Sequence, residues 1–348
     1  MSDNNKVKSV YKVISLFSGC GGLDLGFEGG FKSLGKNYAK RKFEVIWAND
    51  IDESSCLTYY KNFNSRSICG DIIRLIERDE IPTEADIVIG GFPCQDFSLA
   101  GKRKGFDSKR GLLYQCMIET VRRSNPLVFV AENVKGLLSL NGGEAIKKIE
   151  NDFEALGYHV STKLYLAPEW GVPQSRERVI IIGTNKKILP KFTHPENGPL
   201  NEGKWVNLQT AIGDLEDLPE GAIANHFWSK AKRFPGTQGN STVNAVKIGP
   251  TMRAEHHGNI EFHWNDTRRL SAREAARIQT FPDDFIFYPS TSSAYKQIGN
   301  AVPPILAWNV AKLIEDFLEK SLNNVNDLRS EPSHSRGRIR KTLRSNTI

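Results

Sequence analysis

The chain lacks a C-x-x-C pair: its five cysteines, at 20, 56, 69, 94 and 116, are scattered and odd in number. That spacing argues against a disulfide framework and against a structural zinc site, and points to reduced thiols. No apolar run approaches membrane-spanning length, and the opening residues MSDNNKVKSVYK hold no signal-peptide apolar region. A cytoplasmic protein without a membrane partner is therefore expected. A strong charge imbalance is also missing from the body. Of the net +7, residues 321–348 carry +4, leaving +3 for the rest. The tail reads as a basic, disordered end, and composition permits nucleic acid without requiring it. What is present is ordinary: 348 residues, 39% hydrophobic and 25% charged, enough for a large core divided into two domains.

The stretch that organises the rest is Asp86–Gly105, DIVIGGFPCQDFSLAGKRKG. Its apolar opening reads as a buried strand that Pro93 ends, leaving the Cys94 thiol at the strand's C-terminal end. In an open α/β sheet that end is where ligands bind, so Cys94 is a candidate nucleophile. A lone cysteine is more often a small buried hydrophobe. The following segment 98–111 carries glycines at 101, 105 and 111 and the cations Lys102, Arg103, Lys104, Lys109 and Arg110. A flexible cationic loop beside a thiol suits an anionic polymer held over it.

Other strand ends carry polar groups of the same kind. Lys12–Leu16 reads as a first strand that runs into Phe17-Ser18-Gly19-Cys20-Gly21-Gly22 and then a helix. This glycine-rich turn can bring backbone N–H groups close to a ligand, although it departs from the G-x-G-x-x-G spacing of a dinucleotide site. Phe43–Ala48 ends at Asn49-Asp50, and Ser67–Cys69 leads into Gly70-Asp71. Each acid could be a helix N-cap, yet two in succession after a glycine turn favour an adenosine-bearing cofactor. Strand 127–131 ends in Glu132-Asn133-Val134, a carboxylate at the same end of the sheet as Cys94. Gln174, Arg176 and Arg178 alternate into an apolar strand, which predicts all three on one face. Gly29–Lys42 reads as a polar surface loop.

From about 185 the texture changes. Residues 185–268 are rich in Pro, Gly and Asn and hold five of the seven histidines (194, 226, 256, 257 and 263), without metal-ligand spacing. Solvated or nucleic-acid-facing histidines are expected there. Ser271-x-x-Glu274 forms a capping box opening a helix that runs to Phe281-Pro282, and a last apolar helix, Ile305–Leu318, precedes the tail.

Taken in order, these motifs resemble the DNA (cytosine-5) methyltransferases of bacterial restriction–modification systems. The matching pieces are Phe17–Gly22, Asn49–Asp50, Gly70–Asp71, Pro93-Cys94-Gln95, Glu132-Asn133-Val134, Gln174-x-Arg176-x-Arg178, Arg269–Pro282 and Gly299–Val302. Each is modest alone, and jointly they are specific. The resemblance implies a doubly wound, mixed-sheet α/β fold of the class I, Rossmann-like methyltransferases. The catalytic and cofactor domain would comprise 1–184 and 295–320, with a smaller irregular target-recognition domain at 185–294. S-adenosylmethionine would be the cofactor. Phe17 would pack on its adenine, Asp50 would hold the ribose hydroxyls and Asp71 would accept from the adenine amine. Gly19, Gly21, Gly22, Ile51, Ile72, Pro93, Asn300 and Val302 would line the same pocket.

The chemistry follows from the substrate. Carbon 5 of cytosine is a weak nucleophile, and addition of a Cys94 thiolate at C6 makes it enamine-like. By resemblance, Glu132 would serve N3, which calls for a raised pKa, Arg178 would serve O2, and Arg176 would support Glu132 or the loop. The target base must leave the duplex stack. Gln95, Ser98, Lys102, Arg103 and Lys104 would meet the DNA, and Arg233, Gln238, Asn240 and Arg253 are candidates to read bases. Monomeric action on a short double-stranded site, paired with a cognate restriction endonuclease, is the family expectation. The rivals are a tRNA cytosine methyltransferase of the same fold, a nucleotide-binding oxidoreductase, which leaves Cys94, Glu132 and the arginines unused, and a non-catalytic DNA-binding module.

Overall fold

The computed structural model describes residues 6–63, 67–93, 113–234, 236, 239–254 and 260–330. In chain order the first half runs β1 (Tyr11–Leu16), α1 (Gly22–Glu28), β2 (Phe31–Ser33), β3 (Lys36–Tyr38), β4 (Phe43–Asp50), α2 (Glu53–Phe63), β5 (Ser67–Cys69), α3 (Ile72–Glu77) and β6 (Ile87–Gly90). Then come α4 (Leu113–Ser124), β7 (Val128–Val134), α5 (Glu144–Ala155), β8 (Tyr158–Leu166), β9 (Glu177–Asn185), α6 (Leu208–Ile212), α7 (Ala272–Ile278), α8 (Thr291–Asn300) and α9 (Pro304–Ser330).

Seven strands form one sheet in the order β5-β4-β1-β6-β7-β9-β8. β5, β4, β1, β6 and β7 are parallel, and β9 runs antiparallel to both of its neighbours. This is the Rossmann-like mixed sheet of class I methyltransferases, with a smaller irregular lobe beside it. Strand residues divide by parity. Val13, Val45, Ile87, Ile89, Val128 and Val130 join one core with α1, α7, α8 and α9. Ile14, Leu16, Val88, Phe129 and Ala131 join another with α3, α4 and α5. Period-two alternation of apolar residues buries the central strands on both faces, as a parallel sheet requires. Strand order reverses between β1 and β6, and the crevice at that switch point opens at their C-terminal ends.

Segment 29–42 is not the polar surface loop its composition suggests. β2 and β3 pair as a hairpin in which Phe31 stacks on Tyr38 with centroids 5.0 Å apart, and Tyr38 meets Trp308 of α9 edge-on at 5.3 Å. Ser33 Oγ also donates to Thr280 O at 3.0 Å. Two aromatics in a cross-strand pair dock the hairpin on α9, which the surrounding Lys and Gly residues conceal. The last helix also exceeds its expected end at Leu318. It continues to Ser330, with Ser321 and Leu322 buried, so the start of the expected tail is ordered helix. Residues 331–348 lie outside the described residues.

The smaller lobe has little ladder pairing, so its buried carbonyls need other donors. Buried arginines at the lobe's edge supply them. Arg269 donates to Ala231 O, Lys232 O and Gly239 O at 2.7–2.9 Å, and Arg273 donates to Ala224 O, Pro282 O and Phe285 O at 2.9–3.0 Å. His226 and His263 are fully buried, contrary to the expectation of solvated histidines, and burial lowers the pKa of both. His256 and His257 lie outside the described residues. The capping box forms as read: Ser271 Oγ accepts from Glu274 N, and Glu274 Oε2 accepts from Ser271 N at 2.7 Å. The same hydroxyl lies 3.0 Å from His226 Nδ1. Ser271→Ala therefore uncaps α7 and takes away the partner of His226 Nδ1, whose ring keeps only Leu218 O through Nε2, at a cost of about 1–2 kcal/mol. The urea midpoint should fall with an unchanged m-value.

Candidate active site

The sheet register places the site. Leu16 pairs with Asn49 and Gly90, and Gly90 pairs with Ala131, so these four residues form one row across the sheet. The residues that follow them, Phe17, Asp50, Gly91 and Glu132, therefore emerge together along one edge. Cys69 pairs with Asp50, which brings Gly70 and Asp71 to the same edge.

On the β1 side, Phe17 has a positive φ of 54° and Gly21 one of 93°, and the chain turns sharply into α1. Gly19 N donates to Asp50 Oδ2 at 2.8 Å, and Asp52 N donates to Oδ1 at 2.9 Å. Burial raises the Asp50 pKa against these two N–H groups. Each carboxylate oxygen keeps an acceptor position for a further donor. Ile51 is 69% exposed beside it, an apolar side chain at a strand end. Asp71 Oδ1 accepts from Ile73 N at 3.0 Å, so this acid caps α3. Ile72 is buried in the core cluster that Phe17 packs against.

Asn300 and Val302 come back to the glycine turn from far along the chain. A Cβ on Gly22 would lie 2.4 Å from Val302 O, so only glycine permits this approach. Asn300 is exposed at the end of α8. Phe17, Gly19, Gly21, Gly22, Asp50, Ile51, Asp71, Asn300 and Val302 thus lie toward one edge of the sheet, around the turn into α1. Their donors, acceptors and exposed apolar side chains suit a group with an aromatic base and vicinal hydroxyls.

On the β6 side, Phe92 is buried and Pro93 is exposed. Asn133 Nδ2 donates to Phe92 O at 2.9 Å, fixing the turn where the strand ends. Glu132 reaches toward the same turn, and its Oε2 would lie 3.1 Å from a Cβ on Gly91. Arg178 Nε lies 2.7 Å from Glu132 Oε1 in an ion pair with both side chains about nine-tenths buried. Glu132 and Arg178 thus stand beside the Pro93 turn as one unit.

Arg176 does not join them. It is 1% exposed and donates to Met252 O at 2.8 Å, Gly299 O at 3.1 Å and Ala301 O at 2.9 Å. Gln174 is likewise buried, accepting from Met252 N and donating to Ile278 O, each at 3.0 Å. The expected common face fails because β9 begins only at Glu177. Residues 174 and 176 precede the ladder and turn toward the smaller lobe. Burial holds the Arg176 pKa well below its ordinary value, the Arg178 charge adds to this, and Glu132 opposes it.

Arg233 donates to Thr242 Oγ1 at 2.9 Å, pairs with Asp266 and lies 4.2 Å over the Phe262 ring. It staples its own lobe, with 39% of its side chain still exposed. Arg253 is exposed. Cys94, Gln95, Ser98, Lys102, Arg103, Lys104 and Gln238 lie outside the described residues. Sequence reasoning gave no role to Asn133 or Gln279. Asn133 stands in the sequence beside the more conspicuous acid Glu132, while Gln279 carries no local signal at all.

The family model for C-5 cytosine-specific DNA methylase matches residues 11–248 and 226–316. The Type II methyltransferase M.NgoFVII of Neisseria gonorrhoeae is 36% identical over 353 residues, covering 92% of this chain and 91% of the relative. M.FnuDI of Fusobacterium nucleatum, also a Type II methyltransferase, is 38% identical over 341 residues, with 88% and 95% covered. The crystal structure of S. pombe Dnmt2 methyltransferase superposes with a TM-score of 0.64 at 17% identity, covering 88% of this chain and 99% of that one, a likeness of fold.

Proposed function

The chain belongs to the C-5 cytosine-specific DNA methylase family, and on that premise we propose that it methylates one cytosine within a short, specific double-stranded sequence. As a member it is an enzyme that transfers a methyl group to carbon 5 of cytosine in DNA, and the family's chemistry is S-adenosylmethionine-dependent. S-adenosylmethionine, when bound, supplies the methyl group that C5 takes up. Phe17 and Ile51 offer apolar surfaces for its base. Asp50 has free acceptor positions for ribose hydroxyls, Asp71 one for the adenine amine, and Asn300 and Val302 close the pocket over the glycine turn.

Cys94 supplies a thiolate to C6 of the flipped-out cytosine, breaking the ring's aromaticity. Arg178 donates to O2 as charge builds there, and Glu132 serves N3. Removal of the C5 proton afterwards restores the double bond and releases Cys94. What supports this reading most is the nearly buried Glu132–Arg178 pair beside the Pro93 turn. A paired acid and base at the end of adjoining strands, next to the residue that precedes a candidate nucleophile, suits a reaction that develops charge on both N3 and O2. The smaller lobe reads the sequence, and a cognate endonuclease cutting the same site is the partner this implies.

The test is expression in a host without cytosine methylation, followed by conversion sequencing of its DNA and RNA. The expected result is 5-methylcytosine confined to one short DNA motif. An unmodified genome from folded protein, or methylation in tRNA alone, overturns the proposal.

A further inference from the structure

Two close backbone contacts stack on opposite sides of segment 299–302. On one side Gly22, in the turn at the cofactor cleft, meets Val302 O. On the other a Cβ on Gly299 would lie 2.1 Å from Arg253 C and 2.2 Å from Ala254 N, so the smaller lobe's chain rests directly on this glycine. Backbone from three distant parts of the sequence is thus layered without side chains between.

Arg176 fastens the layers. Its Nη1 holds Met252 O, and its Nη2 holds Gly299 O and Ala301 O. Gln174 takes Met252 N, and Gln279 Nε2 donates to Ala301 O. Backbone pairs continue the splice: Ser175 N donates to Gly249 O at 2.8 Å and Gly249 N to Pro173 O at 2.9 Å. A planar guanidinium can address carbonyls in two segments at fixed angles, which an ammonium cannot. A single orphaned donor remains, Arg176 Nε, and no carboxylate forms an ion pair with this buried cation among the described residues. Sequence repeats nothing of this, because the partners are main-chain groups.

We infer that Arg176 is a positioning residue that couples occupancy of the cofactor cleft at Gly22 and Asn300–Val302 to the placement of segment 249–254 in the DNA-reading lobe. The inference rests on the proposed reading of that cleft and that lobe. Packed backbone is stiff, so a ligand that fixes segment 299–302 also fixes the chain lying on Gly299. By reciprocity, DNA that orders the lobe tightens the cofactor cleft by the same factor.

The test compares the full wild-type chain with Arg176→Lys. Affinity for a duplex carrying the mapped motif is measured by fluorescence anisotropy, with and without S-adenosylhomocysteine. Affinity for S-adenosylhomocysteine alone is measured by calorimetry. In the wild type the cofactor product should tighten DNA binding by about 5- to 150-fold, the ordinary range of coupling between sites. In Arg176→Lys that ratio should collapse toward one while the calorimetric affinity stays within about threefold of wild type. Gln279→Met removes the donor to Ala301 O and the acceptor of the Gln174 amide, and should give an intermediate ratio if Arg176→Lys fails to fold. A wild-type ratio of one overturns the inference. So does a variant that weakens both binary affinities and keeps the ratio, which is what a merely structural role produces. A failure of the functional reading is distinguishable, since the genome would then carry no methylated motif at all.

Discussion

Glu132→Gln should slow methyl transfer to DNA by about 10³-fold, within the 10²–10⁴ range of a lost general acid–base group. The substitution keeps the shape and one acceptor oxygen, so Arg178 retains a hydrogen bond across the 2.7 Å contact. What is lost is a group able to exchange a proton with N3 as the thiolate adds. Arg178→Ala should cost about 10²–10³-fold, as removal of a donor to a developing oxyanion does, and should also destabilise the protein because it strands Glu132. The two residues act as one unit, so the double variant should be scarcely slower than the worse single one. Cys94→Ser should leave no detectable product, since an unactivated hydroxyl is a poor substitute for a thiolate. The measurement is single-turnover transfer of labelled methyl to the mapped duplex, with thermal unfolding run alongside. A Glu132→Gln rate within tenfold of wild type would remove Glu132 from the mechanism. Strict additivity of the pair would show that they act apart.

The parts of the site that lie at strand ends were legible in the sequence, and the register shows why. Leu16, Asn49, Gly90 and Ala131 line up in one row because the parallel ladders pair them residue to residue across the sheet. Each polar residue following an apolar run, Asp50 and Glu132 among them, thus had its position set by where the run ended. Residues 174–178 were misread because alternation is evidence of a strand only where a ladder exists. With β9 starting at Glu177, Arg178 obeyed the rule while Arg176 and Gln174 faced the smaller lobe. Hairpin β2–β3 was hidden for a related reason, since strands of three residues carry too little pattern to detect. The buried His226 and His263 fill a lobe whose core is built from coil, where no period tells inside from outside. Side chains that bond to main chain leave no mark in composition or spacing. That is why the splice at Arg176 was invisible while the Pro93 turn was not.

Asp24→Asn should stabilise the protein at pH 8 and leave it nearly unchanged at pH 4. Asp24 lies in α1 two residues after Gly22, and it is fully buried. Tyr59 donates to its Oδ1 at 3.0 Å. Desolvation pushes the carboxyl up to about 7 from an ordinary 3.8, with the Ser15 and Tyr59 hydroxyls opposing and the nearby Glu28 charge adding to the rise. The folded state therefore holds a proton between these values that the unfolded chain has released. Stability from this group is complete below 3.8, declines as pH rises through the window, and is lost above about 7. A shift of that size corresponds to on the order of 4 kcal/mol. Asparagine keeps an oxygen for the Tyr59 hydroxyl and cannot ionise. The difference in unfolding free energy between variant and wild type should therefore grow from near zero at pH 4 to about 2–4 kcal/mol at pH 8, with other titrating groups cancelling in the subtraction. Urea melts at five pH values measure it. A difference that stays flat across that range would mean Asp24 is ionised in the folded protein throughout. The turn would then have to hold a buried negative charge beneath the cleft, and the cleft's acceptors would face a repulsion that Asp50 alone does not impose.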